Sequence, residues 1–319
     1  MNPSVALIIR CHNEEAHIGR LLTGALHQSR VPDEIILVDS GSTDATVSIA
    51  AAFPTTILTI SPDEFSFGRA LNVGLAAAKS EIAVFASAHV YPVYDSWIDL
   101  LVQPFQDERI ALTYGRQQAP ADGRFSEQQL LARWFPTKSV ARQREPFCNN
   151  ANAAVRSSVW EEIPYDEQLT GLEDLDWARR ALERGHDLSY VAEASVVHAH
   201  DESFRQVINR YRREAIAHKA IYDERGMRFT TAVRLGAANI VGDLRSARRQ
   251  GALSTHLADI VQFRSAQFYG TYRGFRQRGP VTELLRQRFY YPLDAEHHVL
   301  GEEQAAGSLI DYDVPPPKR

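Results

Sequence analysis

Two segments near the start of the chain repeat one design. In VALIIRCHNEE (Val5–Glu15) and in IILVDSGSTDAT (Ile35–Thr46) an apolar run stops at a polar tip, and a helical pattern follows. Each apolar run reads as a strand buried in a sheet. Two such strand ends side by side form one crevice, and in an open α/β sheet that edge is where a nucleotide binds. The first tip offers Arg10, Asn13 and Glu14, and the second offers Asp39, Ser40 and Ser42.

The same alternation continues to about residue 115. Val5–Ile9, Glu34–Val38, Thr56–Ile60 and Glu81–Ala86 read as strands; Glu15–His27, Asp44–Ala52, Gly68–Lys79 and Ser96–Phe105 read as helices. Strands separated by helices of this length predict βαβ units and a mainly parallel, Rossmann-like sheet. Asp44 stands where a helix N-cap belongs. Between Tyr114 and Asn150 the pattern weakens to a loop around Pro120–Gly123 and a helix over Glu127–Phe135. Ala153–Val155 predicts a short strand, and Glu173–Arg184 a helix closed by Gly185. Ser189–Val191 and Ser195–His198 predict two more short strands.

Beyond residue 200 the composition changes. From Asp201 to Tyr290, 17 lysines and arginines face 8 acidic residues. The whole chain carries −5, so the remainder sits near −14. Helices are expected over Ser203–Arg225, Ala232–Gln250 and Leu257–Phe275, followed by a loose tail from Gly301. The overall negative charge argues against a nucleic-acid partner. Two cysteines make no disulfide framework and suit a reducing compartment. The N-terminus lacks the pattern of a signal peptide, and no stretch approaches the ~20 apolar residues of a membrane span. The expectation is a soluble, cytoplasmic protein.

Three groups of residues carry chemistry. Asp39 is placed to bond a nucleobase or a ribose hydroxyl, or else to satisfy its own turn. His89, at the end of the strand ending Ala86, and the His198-Ala199-His200 cluster, at another strand end, suit a divalent ion whose shell a diphosphate completes. Glu173, Asp174 and Asp176 gather at a helix N-terminus, where they serve the helix dipole or supply a general base.

Taken in order, these motifs resemble family 2 glycosyltransferases of the GT-A fold over roughly residues 4–200. Ile8-Ile9-Arg10-Cys11-His12-Asn13-Glu14-Glu15 is similar to the opening strand of that family, and Val38–Asp44 to its nucleotide-contact motif. Phe67–Gly74 resembles its helix with a basic residue and an Asn, here Arg69 and Asn72. Glu173-Asp174 resembles its acidic pair. The family's Asp-x-Asp is replaced by Ser87-Ala88-His89. The resemblance implies an inverting enzyme with a nucleotide-diphosphate sugar as donor and a glycan or lipid-linked hydroxyl as acceptor. It implies Asp174 as base, with Glu173 beside it. Arg10, Asn13, Glu14, Asp39, Ser40, Ser42, Arg69, Asn72, Ser87 and Arg116 would line the donor site. Asn150, Asn152, Asp176 and Trp177 would meet the sugar or acceptor. His89 and His198 would hold Mn²⁺ or Mg²⁺, with His200 in reserve.

On this reading residues 1–115 are the nucleotide-sugar half and 116–200 the acceptor half. Residues 201–300 are a basic helical extension, and 301–319 a flexible tail. His198-Ala199-His200 followed by Arg210-Tyr211 is similar to rhamnosyltransferase-like members that build bacterial surface polysaccharides. That implies work at the inner face of the membrane, with a peripheral membrane contact or a homo-oligomer for the basic helices. The alternative is a catalytically silent GT-A domain that binds nucleotide or glycan.

Overall fold

The computed structural model describes residues 3–200, 202–222, 226–277 and 306–315. Along the chain, β1 (Val5–Cys11), α1 (Ile18–Leu26), β2 (Glu34–Asp39), α2 (Thr46–Ala50), β3 (Thr56–Thr59), α3 (Phe67–Ala77) and β4 (Ile82–Ser87) alternate as the sequence predicts. There follow β5 (Val90–Pro92), α4 (Trp97–Val102), β6 (Ile110–Gln118), α5 (Phe125–Trp134), β7 (Val140–Gln143), β8 (Asn152–Arg156), α6 (Ser157–Glu162), α7 (Glu173–Glu183) and β9 (Asp187–His198). Three long helices come last: α8 (Phe204–Tyr222), α9 (Phe229–Arg249) and α10 (Leu253–Phe275).

The strands make one sheet in the order β3-β2-β1-β4-β8-β6-β9-β5, with β7 also paired to β9. β3, β2, β1 and β4 run parallel. β8 opposes both β4 and β6, β9 runs parallel to β6, and β5 and β7 oppose β9. Both faces of the centre are buried. Val5, Leu7 and Ile9 pack with Leu21, Leu22 and Trp97 on one side. Ile8 packs with Leu71, Phe85, Tyr114 and Trp177 on the other. This period-two division explains why β1 reads as an unbroken apolar run.

Several expectations are corrected. α1 begins at Ile18 rather than Glu15, because Asn13 adopts a left-handed backbone (φ 54°) and the tip is tied to the neighbouring turn. Glu14 N–H donates to Thr46 Oγ1 and Glu15 N–H to Asp44 Oδ2. Asp44 also accepts the Thr46 N–H, but the N-cap of α2 is Ala45, one residue beyond the expected cap. The two short strands expected over 189–198 are one strand, β9, whose pairing with β6 shifts register between Gly115 and Gln117. β6 itself went unpredicted. The boundary expected at residue 115 falls inside it.

The tail expected to be loose is held along residues 306–315. Asp95 N–H donates to Ser308 O and Ile310 N–H to Val93 O. Tyr312 bonds Pro92 O, and its ring lies under the Arg20 guanidinium at 4.8 Å. The predicted helix end at residues 223–225, and the tail at 301–305 and 316–319, lie outside the described residues.

The register shift between β6 and β9 has a chemical filler. Asn152 Nδ2 donates to Arg116 O and Ala194 O, and Asn152 Oδ1 accepts the Trp97 indole N–H at 2.8 Å. A Cβ on Gly115 would stand 2.1 Å from Ala194 O, so only glycine admits this arrangement. Asn152 is therefore a core strut and not a sugar contact. Asn152→Ala strips partners from three buried groups and should destabilise the fold by about 3–5 kcal/mol. Urea unfolding measures this. Stability close to wild type would return Asn152 to the list of ligand contacts.

Candidate active site

The crevice opens at the ends of β1, β2 and β4. One half, about 370 Å³, is lined by Arg10, Cys11, His12, Glu14, Ser40, Pro62, Phe65, Phe67, Ser87 and His89. That volume suits a small-molecule site. The turn after β2 is rigid: Asp39 accepts the Gly41 and Ser42 N–H groups at 3.0 and 3.1 Å and the Ser42 hydroxyl at 2.5 Å. Asn13 N–H donates to Ser42 Oγ, and Asn13 Oδ1 accepts the Thr43 N–H. Asp39, Asn13 and Ser42 thus build the wall from behind. Ser40 faces the crevice.

Three histidines meet at the inner end of this crevice. β5 pairs with β9 so that Val90 lies opposite His198, and Ala199 N–H donates to His89 O. His198 and His200, two apart at the end of a strand, lie on one side of it. One ring nitrogen from each of His89, His198 and His200 lies within 4.8 Å of the others. Every ring also has an outer partner. His89 Nδ1 is 2.6 Å from Glu14 Oε1, His198 Nδ1 is 2.7 Å from Gln117 Oε1, and His200 Nδ1 is 3.0 Å from Glu127 Oε1.

With Nδ1 engaged, Nε2 is the nitrogen left for a cation, which is the usual second-layer arrangement around metal-binding histidine. Among the described residues, His198 Nε2 is buried without a hydrogen-bond partner. Burial, reinforced by neighbouring cationic groups, holds His198 and His200 well below the ordinary histidine range. They are neutral at pH 7, the form that binds metal. The residues present fit a divalent cation.

The other half of the crevice, about 290 Å³, holds the acidic pair at the start of α7. Arg10 Nη1 donates to Glu173 Oε1 at 2.7 Å. Asp174 has no such partner among the described residues. It accepts only the Leu175 N–H at 2.8 Å and the Asn150 N–H at 3.3 Å. Burial raises its pKa to about 7, and the Glu173 carboxylate adds to the effect. Two adjacent acids thus meet different environments: Glu173 is ion-paired, and Asp174 is buried with its pKa raised.

Two helices complete this pocket, α5 from within the predicted acceptor half and α8 from beyond it. Leu130 and Trp134 of α5 and Arg210, Tyr211 and Arg213 of α8 line it. Arg210 bonds both Glu127 and Glu202 at 2.7 Å. Two guanidiniums lie over the Phe67 ring, Arg10 at 5.1 Å and Arg213 at 4.6 Å from its centre. Sequence reasoning missed Phe65, Phe67, Glu127 and Arg213, and it took Gln117 for a loop contact to sugar, whereas Gln117 bonds His198. The pair of aromatics just before a helix start was the available signal for the first two.

The predicted site residues divide accordingly. Arg10, Glu14, Ser40, Ser87, His89, Glu173, Asp174 and His198 reach the crevice, and His200 joins them. Arg69 and Asn72 do not. Arg69 pairs with Glu64 and Glu167, and Asn72 bonds Tyr165, Trp160 and Glu167, so both anchor the segment leading to α7. Arg116 lies buried on the face of β6 opposite Gln117, since strand residues alternate. Asn150 stays buried behind Asp174. Asp176 binds Arg179 and Arg180 on its own helix. Trp177 is core, donating to Ile163 O and stacking on Tyr165.

The glycosyl transferase family 2 model matches residues 6–163. The O-antigen chain rhamnosyltransferase WbaN of Salmonella anatum is 30% identical over 223 residues, 66% of this chain and 70% of that protein. RfbN of Salmonella typhimurium, another O-antigen chain rhamnosyltransferase, is 28% identical over 219 residues, 65% of this chain and 70% of its own. Among solved structures, the mannosyltransferase PcManGT of Pyrobaculum calidifontis, in complex with GDP-Man and Mn²⁺, superposes with a TM-score of 0.59. It is 18% identical, and the match covers 87% of this chain and 89% of that one. The chain belongs to glycosyl transferase family 2 and is a glycosyltransferase with the GT-A fold.

Proposed function

We propose that the enzyme transfers a sugar, with inversion, from a nucleoside-diphosphate donor to a hydroxyl of a glycan or lipid-linked acceptor in surface-polysaccharide assembly. The observation that carries this reading is one continuous crevice. Its halves share Arg10, Phe67, Ser87 and His89, with the three histidines and Asp174 along its walls. The names of the Salmonella relatives support the polysaccharide context.

The donor nucleotide lies in the half formed by Ser40, Pro62, Phe65 and Phe67, where aromatic and prolyl surfaces suit a base. Arg10 and Arg213, both over the Phe67 ring, offset the diphosphate charge. His89, His198 and His200 would hold a divalent cation, Mn²⁺ rather than Mg²⁺ because three imidazoles replace the oxygens that Mg²⁺ prefers, and it would offset further charge there.

The acceptor enters between Trp134, Tyr211 and Asp174. Asp174 takes the hydroxyl proton at Oδ2, the oxygen with the longer backbone contact. The acceptor oxygen bonds the anomeric carbon from the face opposite the diphosphate, through an oxocarbenium-like transition state. The bond to the diphosphate breaks, and the nucleoside diphosphate leaves with its electron pair. Leu172, in a left-handed conformation (φ 56°), sets the entry angle of α7 and so the aim of Asp174.

Asp174→Asn should lower transfer by about 10²–10⁴-fold while leaving donor binding intact. Turnover near the wild-type rate would dismiss Asp174 as base, and donor binding without turnover in the wild type would favour the silent domain. In the wild type, kcat/KM should fall as pH drops below about 7, because the base must be ionised. The stability effect has a definite sign. A raised carboxyl pKa penalises the folded state as pH climbs from the unfolded value near 4 to about 7, and the penalty is constant above that. The thermal midpoint of Asp174→Asn relative to wild type should therefore rise over that window and then level off.

The histidines act as one site. His200→Ala should weaken Mn²⁺-dependent nucleotide binding as much as His198→Ala, and Gln117→Leu by about 10–100-fold. Calorimetry with and without Mn²⁺ measures each. An unchanged His200→Ala would reduce the site to two histidines.

A further inference from the structure

A second surface lies away from the crevice, on α9 and α10. Among the described residues ten large hydrophobics are exposed, and six of them are Phe229, Val233, Val241, Leu257, Val261 and Tyr269. They are not scattered. Three lie on α9 and three on α10. Phe229, Val233 and Tyr269 meet in an apolar groove of about 300 Å³ whose walls also include Ile240, Phe268 and Tyr272. Phe229 is 60% exposed and Tyr269 48%. A patch of this kind marks an interaction site.

The charge around the groove selects the partner. Residues 226–277 contain eight arginines, two aspartates and no lysine or glutamate. Neither aspartate offsets the rim. Asp243 is buried against Arg264, and Asp259 is bonded to Arg124. Arg273 and Arg276 donate to the hydroxyls of Tyr269 and Tyr272 at 3.1 Å, which sets cations beside aromatics at the groove edge. A second copy would bring one cationic face against another.

We infer that this face of α9 and α10 docks on an anionic phospholipid bilayer. Phe229, Val233 and Tyr269 enter the acyl boundary, and the arginines meet the phosphate groups.

The surface also has a route to the chemistry. α10 packs on α8 so closely that a Cβ on Gly270 would stand 2.3 Å from Ile208 O. α8 carries Arg210, Tyr211 and Arg213 into the acceptor half of the crevice. α8 thus links the α9–α10 face to that half of the crevice. The value of this for a lipid-linked acceptor rests on the proposed function; the surface itself does not.

The test is flotation of the full chain with phosphatidylcholine vesicles, with and without phosphatidylglycerol. The expected result is binding only to the anionic vesicles, weakening as salt is added. Arg273→Gln and Arg276→Gln should each lower the partition about fivefold, and Phe229→Ser tenfold or more. Nucleotide binding measured on the same samples, unchanged in every variant, shows that the fold and donor site are intact. No flotation by wild type that binds nucleotide would overturn the inference, and so would flotation that the three variants leave undiminished. A dimer abolished by Phe229→Ser, without vesicle binding, would assign the face to a second copy. Failure of transfer activity alone would count against the proposed function and not against this surface.

Discussion

The antiparallel pairing of three residues of β5 with the end of β9 holds His89 against His198 and His200. β5 follows directly from the tip of β4, and β9 arrives from the far side of the sheet. Without that short ladder, His89 would stand alone at a strand end, and the buried Nε2 of His198 would face no partner ring. The outer carboxylates and amide then fix which nitrogen each ring presents. Glu14 comes from the first strand tip, Gln117 from β6 and Glu127 from α5, so three separate parts of the fold agree on one point in space. The Asn152 strut and Gly115 belong to the same construction. They allow β6 and β9 to slip register where Gln117 turns toward His198.

Electrostatics divides the crevice into two kinds of ground. In one half, guanidiniums lie over an aromatic ring and three imidazoles converge. In the other, a buried carboxyl has its pKa raised to about 7. Arg10 links the two by pairing with Glu173 while reaching over Phe67. Ion-pairing Glu173 leaves Asp174 as the adjustable member of the acidic pair.

Much of this was legible in the sequence, and the exceptions have physical causes. The parallel half of the sheet shows plainly because buried central strands are continuous apolar runs. β6 was missed because its end, Gly115-Arg116-Gln117-Gln118, looks like a polar loop, although the sheet buries most of it. Arg10, Ser40, Ser87, His89, Asp174 and His198 line the crevice and are visible in the sequence because they stand at strand or helix ends. Asn72, Asn152, Asp176 and Trp177 were misread because a buried polar group serving backbone or neighbouring side chains has the same local sequence as one serving a ligand. Asp39 shows the same ambiguity: its carboxylate is taken up by its own turn. Residues from α5 and α8 were out of reach, since only tertiary packing brings them to the crevice.

Diffraction at the manganese absorption edge, from crystals grown with Mn²⁺ and a nucleoside diphosphate, addresses the central claim most directly. The account predicts one anomalous peak bonded to Nε2 of His89, His198 and His200, with diphosphate oxygens completing its shell and the base against Phe65 or Phe67. Nucleotide bound in the crevice with manganese elsewhere, or with no manganese at all, would contradict it.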